Sequence, residues 1–145
     1  MMVNCVFCSI LAGELTASVV YSDEVSYAFL DIQPINPGHT LVIPREHRDG
    51  LRELPAETAG HLMRVAQRVA AALYRSELAP SGVNLLLADG VSAGQDVFHA
   101  HLHVIPRYEG DGFGLMYPES YREKPARQIL DEIAAVIARL VSANS

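Results

Sequence analysis

The stretch HAHLHVIP, from His99 to Pro106, constrains the fold more than any other part of the chain: three histidines stand at alternate positions with Ala100, Leu102 and Val104 after each. In an extended strand, residues two apart point to the same face. The spacing predicts a strand that lines His99, His101 and His103 along one side, ~7 Å apart between neighbouring α-carbons, and buries Ala100, Leu102 and Val104 on the other.

The rest of the chain supplies partners for such a strand. ASVVYSDEVSYAFLDI holds two β-prone runs, Ser18–Tyr21 and Val25–Asp31, split by Ser22, Asp23 and Glu24, as in a hairpin. PINPGH is a turn, and HTLVIP is a short strand ending at Pro44. Leu62, Val65, Ala66, Val69 and Leu73 recur at helical spacing, predicting a long helix from about Ala56 to Leu78. VNLLLA is a further strand, and Ala126, Leu130, Ile133, Ile137 and Leu140 mark one face of a C-terminal helix that starts near Lys124 and Pro125. Hairpin-like joins predict an α+β domain: an antiparallel sheet of about five strands with a long central helix and a C-terminal helix. The 145 residues show no repeat or linker and read as one domain, with a core of about 3–107 and an extension of about 108–145.

Half of the residues are hydrophobic, so a sizeable core is possible, and the net charge of −6 argues against a nucleic-acid or anionic-membrane binder. The N-terminus lacks the features of a secretory signal, and no apolar run reaches the ~20 residues needed to span a bilayer. A soluble cytoplasmic protein is expected, and in a reducing compartment Cys5 and Cys8 are not expected to form a structural disulfide.

Three readings of the histidine row compete: a polar strand face, a metal site, and nucleophilic catalysis by one imidazole assisted by the others. The preceding loop favours catalysis. Ser92, Ala93 and Gly94 let backbone approach a ligand, Gln95 and Asp96 add polar groups, and amides there can hold phosphate oxygens.

HAHLHVI matches the signature of the histidine-triad family of nucleotide hydrolases and transferases, and FLDIQPINPGHTLVIPREH, AGQDVFHAHLHVIPR and CVFCSILAGEL resemble its nucleotide-binding, catalytic and N-terminal segments in bacterial members. The similarity runs from Cys5 to about Arg107, and the C-terminal helix resembles an extension found in bacterial relatives.

That resemblance implies that His101 attacks the α-phosphorus of a purine nucleoside 5′-phosphoramidate or related adenylyl conjugate, forming a nucleotidyl-histidine that water then cleaves. It places His103 by the phosphate and His39 at the border of the site. Asp31 would accept from the ribose hydroxyls, and Phe7 and Ile32 would wall the base, although both read equally well as core residues. Gln95 and the amides near Gly94 and Asp96 would stabilise the phosphoryl charge. Ala88 stands where an asparagine is expected and Asp96 where a serine is common, which leaves the substrate open. The enzymatic alternative is a dinucleoside polyphosphate hydrolase or phosphorylase; the alternative of another class is a nucleotide-binding interaction module.

Cys5-x-x-Cys8 is half of a zinc ligand set, and His47 is a candidate third ligand. The resemblance adds His99, making a closed Cys2His2 site for one structural zinc per chain. It also implies a homodimer built through the long helix and an edge strand. His61 reads as a helix-surface residue, Met63 and Met116 as packing groups, and Asp131 and Glu132 as a solvated face.

Overall fold

The computed structural model, which describes residues 4–143, opens with a six-residue helix, α1 (Val6–Leu11). Three strands follow, β1 (Val19–Ser22), β2 (Ser26–Leu30) and β3 (Thr40–Pro44), then helix α2 (Ala56–Arg75), β4 (Gly82–Leu87) and β5 (Leu102–Arg107). The strands form one antiparallel sheet in the order β1-β2-β3-β5-β4. This is the α+β architecture that the hydrophobic pattern predicts.

Strand alternation sorts the side chains onto two faces. Ala28 of β2, Val42 of β3 and Leu102 and Val104 of β5 pack with Leu62, Val65, Ala66, Val69 and Leu73 of α2. Those five are the residues that the helical spacing selects, and burial of each such Leu or Val side chain contributes ~1.5–3 kcal/mol. Phe29, Leu41 and Ile43 point to the opposite face and pack with Phe7 of α1.

α2 ends at Arg75, three residues short of the expected Leu78. Ser76 stops it: its hydroxyl donates to the carbonyl of Leu73 at 2.8 Å and accepts the amide of Leu78 at 3.2 Å. The histidine strand also starts later than expected. β5 begins at Leu102, so His103 alone of the three histidines lies in it. The amide of Ala100 donates to the carbonyl of Arg48, 2.7 Å away, which ties the approach segment to the chain beyond β3 and keeps it out of the sheet ladder. Alternation nevertheless persists through the irregular part, because Ala100 is buried with the α2 face. The histidine side is no open surface: His99 is 0% and His101 3% exposed. α1, which no periodicity announced, lies over it through Phe7.

The chain divides into two units, one ending at Phe113 and one running from Gly114. The second carries a 3-10 turn (Glu119–Arg122) and α3 (Arg127–Ala143). Within α3, Ile133, Ile137 and Leu140 recur at helical spacing and form the apolar stripe expected there. No helix among the described residues is long and apolar enough to cross a membrane.

Candidate active site

A cleft of about 430 Å³ opens on the α1 side of the sheet. Phe7, Phe29 and Leu41 form apolar walls, and Asp31, His101 and His103 supply polar atoms. Ile32 lines the cleft from its rim, 95% exposed. Phe7 is both core and wall: it is buried, yet its ring meets His101 edge-on with centroids 5.2 Å apart and planes at 78°.

The hydrogen bonds of each imidazole set its tautomer. The Nδ1 of His101 lies 2.8 Å from the carbonyl of His99. A carbonyl only accepts, so Nδ1 carries the hydrogen and the neutral ring keeps a bare lone pair on Nε2. In His39 the order is reversed. The amide of Ile35 donates to its Nδ1 at 3.1 Å, so the proton sits on Nε2. That Nε2 donates to Nδ1 of His103 at 2.9 Å, which leaves the proton of His103 on its own Nε2. The two meet because His103 faces Leu41 across the β3–β5 register, which makes His39, two residues before Leu41, its diagonal neighbour.

Burial, with the nearby rings of His101 and His39, pushes the pKa of His103 down to about 4. Burial lowers His39 as well, against the opposing pull of Asp31. Both are neutral at physiological pH.

Asp31 accepts the amide of Gln33 through Oδ1 at 2.8 Å, and its Oδ2 lies 3.7 Å from Nε2 of His39. Asn36 holds the intervening loop. Its amide nitrogen donates to the carbonyl of Pro106 at 2.9 Å and to Oδ2 of Asp111 at 2.8 Å. Asp111 also takes a bidentate pair from Arg107 at 2.7 and 2.8 Å, which with three further donors holds its carboxyl well below the usual range. This support was not foreseen from sequence, because Asp111 lies in a glycine-rich segment that reads as irregular.

Gln95 does not face the cleft. Its amide nitrogen donates to the carbonyls of Asp49 and Val97 at 2.6 and 3.1 Å, and its oxygen accepts from Gly90 at 2.8 Å. Both amide hydrogens are thereby used within the chain, and the side chain clamps the loop. Gly94 takes φ +88°, a left-handed conformation that favours glycine. The amides of Gly94 and Gln95 are bonded to the carbonyls of Val91 and Gly90, whereas that of Asp96 has no partner among the described residues. The carboxylate of Asp96 is 87% exposed, with Oδ1 3.9 Å from Nε2 of His101. Ala88 is buried at the end of β4 and does not line the cleft.

Behind Phe7 is a second cluster. One ligand atom from each of Cys5, Cys8, His47 and His99 lies within 4.8 Å of the others. Nδ1 of His99 is 3.4 Å from the Cys5 sulfur, and Nδ1 of His47 is 3.3 Å from that of Cys8. The remaining nitrogens are engaged: Nε2 of His99 donates to the carbonyl of Pro44 at 2.8 Å, and Nε2 of His47 to Asp49 at 2.9 Å. Both Nδ1 lone pairs therefore face the sulfurs. Burial, reinforced by Cys5, pushes the Cys8 thiol up to about 11, so a thiolate at Cys8 needs a cation to share its charge. Two thiols and two imidazoles with engaged outer nitrogens fit a tetrahedral metal such as zinc. Asp49 is the outer partner that the sequence did not reveal.

A model of the HIT domain matches residues 12–110. Protein hit of Bacillus subtilis is 42% identical over 139 residues, which cover 93% of this chain and 95% of that protein. The crystal structure of a Zn-bound histidine triad family protein from Mycobacterium smegmatis is 41% identical with a TM-score of 0.74, covering 97% of each chain. That of a histidine triad nucleotide-binding protein from Candida albicans is 28% identical with a TM-score of 0.85, covering 98% of this chain and 100% of that one.

Proposed function

The chain belongs to the HIT family, and from that premise we propose that it is a nucleotide hydrolase whose nucleophile is His101. The observation that carries the reading is the bond from Nδ1 of His101 to the carbonyl of His99 at 2.8 Å, which leaves Nε2 unprotonated in a cleft with one carboxylate at each end of the histidine row. The substrate is a purine nucleoside 5′-phosphoramidate or related adenylyl conjugate. Its base lies between the apolar walls, and the ribose hydroxyls donate to Asp31.

The Nε2 lone pair of His101 forms a bond to the α-phosphorus as the bond from phosphorus to the leaving nitrogen breaks. That nitrogen keeps the bonding pair, takes a proton from water at the cleft mouth and departs as an amine. The Nε2–H of His103 and the amide of Asp96 donate to the phosphoryl oxygens. A water oxygen then bonds to phosphorus, its proton passes to solvent, and the Nε2–P pair returns to the imidazole. The products are an amine and a nucleoside 5′-monophosphate.

Cys5, Cys8, His47 and His99 would hold one zinc ion, closed to substrate, whose part is to fasten α1. The exposed Leu85 and Leu86 of edge strand β4, beside Met63 of α2, support a homodimer formed through that edge. A cytoplasmic location belongs to the same reading.

Brief incubation with an adenosine phosphoramidate, acid-free quenching and peptide mass spectrometry test it: the adenylyl mass should sit on His101 and be missing in His101→Ala. A parallel assay with diadenosine polyphosphates separates amine-releasing from phosphate-releasing chemistry. A His101→Ala variant that turns over as fast as the parent rules the nucleophile out, and a parent that binds nucleotide without turning over any conjugate is an interaction module.

A further inference from the structure

The polar groups of the site stand in a row. Oδ2 of Asp31 is 3.7 Å from Nε2 of His39, His39 is bonded to His103 at 2.9 Å, the rings of His103 and His101 are 4.9 Å apart, and His101 is 3.9 Å from Asp96. A nucleotide with its ribose at Asp31 and its phosphorus at His101 extends its remaining substituent toward Asp96. Asp96 and Val97 also border a second groove of about 400 Å³, lined besides by Asn4, Cys5, Val6, His47, Asp49 and Phe98. That groove has two carboxylates, Asp49 and Asp96, and neither it nor the cleft is lined by a lysine or arginine. Nε2 of His47 already donates to Asp49, while the carboxylate of Asp96 makes no hydrogen bond among the described residues.

We propose, resting on the hydrolase reading above, that the Asp96 groove receives the leaving group and that Asp96 is a specificity-determining residue favouring leaving amines with a second, cationic centre over neutral or anionic ones. A polyphosphate leaving group would bring several negative charges to two carboxylates in a groove that no lysine or arginine lines. An alkyl diamine brings an ammonium toward a carboxylate that accepts no hydrogen bond among the described residues and whose one near neighbour is Nε2 of His101 at 3.9 Å. Because Asp96 is 87% exposed, water screens the pair and the preference is moderate, about three- to tenfold per charge.

The test uses three adenosine 5′-phosphoramidates of matched length, made from 1,2-diaminoethane, propylamine and β-alanine, with the parent and Asp96→Asn. For the parent, kcat/KM should fall in the order cationic, neutral, anionic, by about three- to tenfold per step, with the spread narrowing as salt rises from 20 to 500 mM. In Asp96→Asn the three values should converge to within about twofold. Equal values for the parent, or a spread that survives Asp96→Asn or high salt, overturn this inference and leave the hydrolase standing. Turnover of none of the three by the parent overturns both.

Discussion

The ring of Phe7 touches His101 at 5.2 Å and His99 at 5.8 Å between centroids, both nearly edge-on, so one side chain joins the cysteine–histidine cluster to the proposed nucleophile. Cys5 and Cys8 flank Phe7 on a helix of six residues, too short to hold itself together in water. Packing with Phe29, Leu41 and Ile43 seats the ring, and a metal held by the two sulfurs would fasten the helix that carries it.

Metal removal should therefore act on stability first and on nucleotide binding second. Purified protein should contain about one zinc per chain by elemental analysis. Stripping it with a strong chelator, or the Cys8→Ser substitution, should lower Tm by roughly 10 °C or more. KM should rise as the Phe7 wall loosens, while whatever protein remains folded still forms the adenylyl-His101 adduct. Prompt loss of the adduct at unchanged Tm would instead make the metal a participant in the chemistry.

His39→Phe keeps a ring at that place but removes the donor that sets the proton of His103. The expected outcome is a fall in kcat of about 10- to 100-fold with KM within about threefold. Steady-state kinetics check the split, and His39→Gln, which can still donate, should recover part of the loss.

Acid should weaken the fold through the same pair. The pKa of His103 is about 4 in the folded chain and ordinary, about 6.5, in the unfolded one. Between those values the unfolded state binds more protons, so this contribution to stability is complete above about pH 6.5 and is lost as pH falls toward 4. His39 shifts in the same direction. Calorimetric scans at pH 7.5 and 4.5 should show a larger drop in Tm for the parent than for His103→Asn, whereas the lowered carboxyls titrate further down and are common to both proteins.

Asp23 tests a contact away from the cleft. Although partial burial works against it, the amides of Ser26 and Val25 and the ring of His61 hold its carboxyl well below the usual range. Asp23→Ala removes acceptors for both amides, the Ser26 hydroxyl and Nε2 of His61. Chemical denaturation should register a loss of roughly 2–3 kcal/mol, and His61→Ala a smaller one.

The periodic parts of this molecule were legible in its sequence. The five buried residues of α2 follow from helical spacing, and the two-faced character of the β5 segment follows from period-two alternation. The triad and the cysteine pair named the family, and the cluster of Cys5, Cys8, His47 and His99 formed as that resemblance implied. What stayed hidden depends on contacts between distant residues. α1 is six residues with no repeat to read. His61 passes for a surface residue until the turn after β1 brings Asp23 to within 2.7 Å of it. Gln95 looks ligand-facing because its neighbours are, but the carbonyls of Asp49 and Val97 claim its amide. A hydrogen-bond partner 46 positions away leaves no local trace.

His99 divides its labour: its ring faces the sulfurs, while its backbone oxygen holds the ring of His101. Every amino acid carries that oxygen. A lineage could therefore abandon the cysteines and replace His99 outright, and still orient Nε2 of His101, provided something else pinned the N-terminal helix. Anchorage and chemistry, though adjacent, are free to evolve on separate schedules.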